Sequence, residues 1–354
     1  MLDDRFRQWL DQHADTLDLG AADSEGVIPR LAESGLLGAG VPTALGGSGG
    51  HVADAVDAIA QVASRSLTAA FVFWGQRAFI EFLLHTDNLG LRDRLLGDLL
   101  SGRRAGATGL SNAMKFLAGF EPLGVTAQPD GDGWTLNGRL PWVTNLRKAG
   151  FTVAAAVDLP GAPPLIVALP SDLPGLQRQD DLQLLGLQGS NTAPVELTEA
   201  QVGREWLLAE DARRYLPRVR PAFLALQCGL ALGLSRRALD EVQQRLEGHC
   251  RILEADWARL NSALDEHRQA LLDGLHEGAF VASPVPLFKL RIGLAAIASE
   301  AVQLELQASG GKAYLQPYGA GFARRLRESA FVPVVTPSLV QLRHELRKHG
   351  EAAA

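Results

Sequence analysis

Cysteine is scarce in this chain: 354 residues hold two, Cys228 and Cys250, with neither a Cys-x-x-Cys spacing nor a histidine pairing. A disulfide framework and a cysteine-based zinc site are therefore poorly supported. Charge of one sign is not in excess either. Asp plus Glu number 40 against 34 Lys plus Arg, a net charge of -6, which gives no basic stripe for nucleic acid or an anionic membrane surface. No apolar run reaches the ~20 residues that span a bilayer, and the opening MLDDRFRQWLDQH is charged where a signal peptide would be apolar. The expectations are a small-molecule substrate, no nucleic-acid or membrane partner, and the cytoplasm.

What the chain does have is apolar material in three textures, 47% hydrophobic overall. Residues 1 to 105 read as successive helices, with apolar positions recurring at three and four in Val52, Ala55, Val56, Ile59 and Val62. A corner, VPTALGGSGG, interrupts them with one proline and four glycines. It lacks the lysine of a P-loop and the preceding strand of a dinucleotide fingerprint, so it reads as a helix corner rather than a phosphate cradle. Ala69 to Leu84 is apolar nearly all round and predicts a helix buried on most sides. From 106 to 204 the chain breaks into short β-prone runs without intervening amphipathic helices, which favours a small antiparallel barrel or sandwich. From 205 to 354 long helices return, reading as a bundle whose third helix stops at Gly310-Gly311.

Within the β region, DGDGWTLNGRLPWVTN at 130 to 145 combines turn chemistry, strand pattern and two tryptophans. Asp130 to Gly133 predicts one turn and Asn137-Gly138 a second, flanking a short strand at Trp134 to Leu136. An extended backbone through Trp142, Val143 and Thr144 would present Trp142 and Thr144 to one face, an aromatic ring beside a hydroxyl.

Helical domain, small β domain and helical bundle in that order resemble the acyl-CoA dehydrogenase family, over nearly the whole chain. VPTALGGSGG resembles the family's Pro-x-x-x-Gly-Gly-x-Gly corner, and the 130 to 145 stretch its Asn-Gly-x-Lys-x-Trp-Ile-Thr hairpin, with Arg139 or Leu140 where lysine is usual. LGLQGSNT at 185 to 192 is similar to a Leu-Gly-x-Arg-Gly-Ser-x-Thr turn, and the stretch from Leu306 to Ser329 to a Gln-x-x-Gly-Gly-x-Gly-Tyr segment followed by Arg-x-x-Arg-Asp. The resemblance implies a flavin oxidoreductase using FAD, or else FMN, between the β domain and the bundle, as a homodimer or homotetramer in which a neighbouring subunit often completes the site. It implies cofactor contacts at Trp142, Val143 and Thr144, at Ser111 and Asn112 beside the flavin edge, and at Gln307, Gly310 and Gly311 on the diphosphate. It also implies an acyl-CoA substrate and an electron-transfer partner.

The departures concern the base. Removing an α-proton while hydride leaves the β-carbon needs a carboxylate, and the family's two places for it correspond here to Thr336 and Val219, with Arg220-Pro221 matching the arginine beside the second. No Asp or Glu occurs from Ser329 to Arg343. The Arg-x-x-Phe-Gly turn that grips the flavin diphosphate is also missing near Gly248-His249, and Lys115 and Phe116 replace an expected Gly-Ser-Asp. Three readings follow: a flavin oxidoreductase with an atypical substrate or a base elsewhere, such as His85 or Glu121; a reduced-flavin monooxygenase served by a flavin reductase; and a non-catalytic partner subunit.

Overall fold

The computed structural model describes residues 2–21 and 24–350. The N-terminal helices are α1 (Asp4–Asp18), α2 (Val27–Glu33), α3 (Val52–Ala63), α4 (Leu67–Leu84) and α5 (Leu89–Leu100). The middle of the chain carries β1 (Ala105–Thr108), α6 (Ser111–Leu117), β2 (Val125–Asp130), β3 (Gly133–Val143), β4 (Phe151–Val157), β5 (Leu165–Pro170), β6 (Leu176–Arg178), β7 (Ala193–Val202) and β8 (Leu207–Ala209). Then come α7 (Ala212–Gln243), α8 (Glu254–His276), α9 (Ala279–Ala282), α10 (Val285–Ser309), α11 (Ala320–Phe331) and α12 (Leu339–Lys348). The architecture is mainly helical around a central β domain, as the resemblance implies.

α4 is the pivot. Ser66 caps it by accepting from the Ala69 N–H, and its apolar residues point in every direction, so nearly every residue is buried. By length and composition it could cross a membrane, but 94% of it is buried inside the protein. Rings stack along its length: Phe71 on Trp74 at 5.3 Å, Phe331 edge-on to Phe71, and Phe223 edge-on to Trp74. These rings join α4 to α7 and α11, so one core runs from the first domain into the bundle.

The strands form two four-stranded sheets among the described residues, β1-β4-β5-β8 and β2-β3-β7-β6. The expectation of a wholly antiparallel domain needs one correction, because β1 pairs with β4 in parallel. The long segment between them, containing α6, β2 and β3, makes that connection possible. Alternation explains how β4 is buried at every position: Val153, Ala155 and Val157 fill the space between the sheets, whereas Ala154 and Ala156 face the helical core. The β domain is thereby fixed against α4.

A second correction concerns 130 to 145. Asp130 pairs with Gly133 across a two-residue turn as expected, but Asn137-Gly138 makes no turn: β3 runs unbroken from Gly133 to Val143. A bulge lies opposite, on β7, where Thr198 and Glu199 together face Asn137 and Glu199 takes φ 50. The register against β7 shifts between Leu136 and Gly138, and Gly138 has φ 140 with the Gly124 carbonyl 2.2 Å from where a Cβ would stand. Asn137 Oδ1 meanwhile accepts from the Glu199 N–H at 2.9 Å, which pins the bulged residue of β7 to β3.

Candidate functional site

At the end of β3 three hydroxyls form a buried chain. Thr144 Oγ1 lies 3.0 Å from Thr192 Oγ1, which lies 2.8 Å from Ser190 Oγ. Both threonines adjoin an asparagine in the left-handed region, Asn145 at φ 65 and Asn191 at φ 52, a conformation Asn tolerates better than most residues. Asn145 is held there by its own side chain, whose Nδ2 donates to Gln76 Oε1 at 3.0 Å and to the Gly106 carbonyl at 2.9 Å, while its backbone N–H donates to Ser190 O. Gln76 belongs to α4 and also accepts from the Gly106 N–H at 2.6 Å. The buried helix thus sets the position of the hydroxyls. Local strain fixed by so many bonds is characteristic of functional positions.

Trp142 and Thr144 do not share one environment. A second register irregularity between Leu140 and Val143 turns both of those side chains inward, leaving Trp142 58% exposed while Thr144 is buried. Val143 packs wholly in the sandwich core, so its backbone alone is available to a ligand. Asn112 is committed elsewhere: its Nδ2 donates to Glu121 Oε1 and the Pro122 carbonyl, and its Oδ1 accepts from Gly124 N–H at 2.7 Å. It ties α6 to the next loop. Ser111 opens α6 and is half-buried.

The two positions lacking a base are structural in different ways. Val219 is fully buried, and the Thr336 carbonyl accepts from Gln227 Nε2 at 3.0 Å. Gln227 Oε1 in turn accepts from Arg291 Nε, and Arg291 NH2 donates to the Val332 carbonyl at 2.7 Å. Burial pushes the Arg291 pKa down. A fully buried guanidinium therefore clamps the 332–336 segment from below.

Next to that segment is a small cleft of about 30 Å³ lined by Met114 of α6, Phe288, Pro337, Arg220 and Glu345. Arg220 lies over the Phe288 ring at 5.4 Å; burial pushes its pKa down and the charge of Glu345 pulls the other way. Arg220 Nε is buried without a hydrogen-bond partner. Lys348, which lies 3.2 Å from Glu345 Oε1, donates to the Ala118 carbonyl and so latches α12 onto the end of α6. Glu345 went unnoticed in the sequence because it stands two residues past the acid-free window, and only the fold pairs it with Arg220. The two other carboxylate or imidazole candidates sit apart. His85 is 85 − 76 = 9 residues beyond Gln76, about 13 Å along α4, where its Nδ1 bonds the Glu81 carbonyl. Glu121 is paired with Asn112 and Lys115.

Gln307, Gly310 and Gly311 occupy a different neighbourhood, the C-terminal end of α10, where Cys250 Sγ meets the Ala308 carbonyl at 3.8 Å. A Cβ added at Gly311 would meet nothing within 4 Å, so packing within the chain does not demand glycine there. An open glycine backbone beside an exposed glutamine fits a diphosphate, and the hydroxyl chain fits the polar edge of a flavin ring.

These features, an α-β-α chain with a helix-anchored hydroxyl platform at the sheet edge, define the acyl-CoA dehydrogenase class of fold. Residues 1–103 match the family model described as acyl-CoA dehydrogenase, N-terminal domain. The chain is 25% identical to the probable acyl-CoA dehydrogenase YngJ of Bacillus subtilis, over 94% of this chain and 92% of that one. It is 26% identical to benzylmalonyl-CoA dehydrogenase of Aromatoleum aromaticum, over 67% and 65%. Among solved structures, butyryl-CoA dehydrogenase from Megasphaera elsdenii superposes with a TM-score of 0.86 at 18% identity, covering 98% of this chain and 96% of that one. The N-terminal 103 residues thus match the acyl-CoA dehydrogenase family, and the whole chain shares that family's fold.

Proposed function

We propose that this protein is a flavin-dependent oxidoreductase that carries its flavin against the Trp142–Thr144 end of β3 and its small-molecule substrate on the side of Arg220 and Glu345. The observation that carries the reading is the buried hydroxyl chain Ser190–Thr192–Thr144 ending beside an exposed tryptophan. When bound, the flavin supplies two-electron exchange with the substrate. The protein supplies orientation. With Ser190 donating to Thr192 and Thr192 to Thr144, the Thr144 proton is free to point at a ligand acceptor, and a chain polarised in one direction strengthens that last bond.

FAD is favoured over FMN because Gln307, Gly310 and Gly311 offer a diphosphate contact that FMN would leave unused. Since those residues lie at the far end of α10, a second copy of the chain would complete the site, which makes a homodimer or homotetramer the working assembly. The relatives' names support an acyl-CoA ester as substrate, and a solved structure of an electron transferring flavoprotein, which shares the fold, supports an electron-transfer protein as partner. Proton removal from such an ester falls to Glu345, the carboxylate that shares the cleft with Arg220.

The lack of a carboxylate at Thr336 and Val219 favours a second reading, a reduced-flavin monooxygenase, which needs no α-proton base. KijD3, solved with FMN and a dTDP-linked amino-keto sugar, shares the fold at a TM-score of 0.79 and 20% identity. Anaerobic addition of butyryl-CoA and longer acyl-CoA esters to the FAD-loaded protein separates the two. Bleaching of the flavin absorbance supports the oxidoreductase acting on thioesters. Substrate-dependent oxygen uptake seen only after chemical reduction supports the monooxygenase, and failure to retain any flavin contradicts both.

A further inference from the structure

α1 ends on a carboxylate that local structure does not favour. Asp18 is the last residue of α1, where the helix presents its carbonyl ends and disfavours a negative charge, and it is wholly buried. Arg327 of α11 pairs with it, Nε at 2.8 Å and Nη2 at 2.6 Å from Asp18 Oδ2. A buried ion pair gains little over apolar side chains of the same volume, so this pair alone is a poor reason for an acid at that position.

The other oxygen reaches the β domain. Asp18 Oδ1 accepts from the Leu187 backbone N–H at 2.7 Å, a buried bond between residues 169 positions apart. Leu187 opens the turn that carries Ser190, and it stands at φ 57, where leucine is rarely found. Asn191 closes the turn at φ 52, and its Oδ1 accepts from Ser24 Oγ at 3.0 Å. Both left-handed residues of the turn are thus gripped by the N-terminal helical domain. The fit is close: a Cβ at Gly186 would stand 2.8 Å from Asp18 Oδ1, and one at Gly189 2.7 Å from the Leu17 carbonyl oxygen. Both glycines of LGLQGSNT therefore answer to the end of α1.

We propose, resting on the reading that Thr144 faces a flavin, that Asp18 is a positioning residue for flavin binding and acts through the Leu187 N–H. It holds the 187–191 turn at its left-handed entry, the turn sets Ser190 and Thr192, and these orient the Thr144 hydroxyl. The links are short. The Ser190 N–H donates to the Leu187 carbonyl at 3.0 Å, Ser190 Oγ lies 2.8 Å from Thr192 Oγ1, and Thr192 Oγ1 lies 3.0 Å from Thr144 Oγ1. In this arrangement the acceptor at Oδ1 does the positioning, whereas the charge serves only the pair with Arg327. Asparagine keeps the first and loses the second, and Arg327, whose side chain is partly exposed, can then turn to solvent.

Fluorescence titration of the full chain with FAD, together with hydrogen exchange over residues 186–192 read by mass spectrometry, tests this. Asp18→Ala should hold FAD about tenfold more weakly than the wild type, and Asp18→Asn within about twofold of it, although the lost ion pair lowers its melting temperature. Combined with Thr144→Val, Asp18→Ala should add less than about twofold to the threonine effect, because both act through one hydroxyl; independent effects would multiply to about a hundredfold. Exchange at 186–192 should quicken in Asp18→Ala and stay near wild type in Asp18→Asn, a readout that needs no flavin and so stands if the wild type binds none. Should Asp18→Ala not fold, Asp18→Glu, which keeps the charge and moves the acceptor, replaces it with the same expectations. FAD binding by Asp18→Asn as weak as by Asp18→Ala, multiplication of the two effects, or unchanged exchange at 186–192 would each overturn the proposal.

Discussion

Thr144 Oγ1 and Thr192 Oγ1 stand 3.0 Å apart on neighbouring strands, each next to an asparagine held in the left-handed region. Neither hydroxyl is placed by its own strand alone. Gln76 on α4 holds Asn145, Asn145 holds the Ser190 backbone, and the hydroxyls meet as a result.

Thr144→Val removes one hydroxyl of the chain while keeping the β-branched shape. The expected outcome is a folded protein destabilised by about 1 kcal/mol, with flavin held roughly tenfold more weakly and affinity restored in Thr144→Ser. Fluorescence titration of FAD against the three proteins measures this.

Asn145→Ala should cost more stability than Thr144→Val. It removes two side-chain hydrogen bonds and puts alanine at φ 65, for a loss of about 2–4 kcal/mol. Chemical denaturation with unchanged slope is the measurement, and a loss no greater than that of the threonine variant would refute the anchoring role.

Glu345→Gln tests the relocated carboxylate. If Glu345 removes a proton, the rate of flavin reduction by an acyl-CoA falls about a hundredfold or more while flavin binding is kept. Glu345→Asp should recover part of the rate. An unchanged rate in Glu345→Gln would assign the residue to the latch between α12 and α6 alone.

Glu241, 2.6 Å from Arg237 and 2.7 Å from Arg245, gives a pH test of that buried charge cluster. Its folded pKa lies below the ordinary 4.5, so its ionised form contributes stability above that pH, which is lost as pH falls through the lower folded value. Glu241→Gln should therefore lower the melting temperature by roughly 2–4 °C at pH 7, with the difference shrinking below about pH 4.5.

Much of this was legible in the sequence, and the exceptions have physical reasons. α4 could be read because a helix apolar on every side has nowhere to go but inside. Asn137-Gly138 reads as a tight turn because Asn and Gly favour one, and the strand that keeps it extended, β7 with its bulge at Glu199, is ~60 residues away in the chain. β1 escaped because Ala105 to Thr108, AGAT, carries little strand preference and is held by its parallel neighbour β4. Alternation placed Trp142 and Thr144 on one face, but the register irregularity between Leu140 and Val143, invisible in the sequence, leaves the first exposed and the second buried. Partners far apart in sequence, such as Arg220 with Glu345 or Arg325 with Glu305, leave no local pattern at all.

Titration of purified protein with FAD bears most directly on the central claim that the β3 platform holds a flavin. The account predicts saturable, stoichiometric binding with a shifted flavin spectrum, weakened in Thr144→Val and in Gln307→Ala. A protein that leaves the FAD spectrum unchanged and elutes colourless would contradict it.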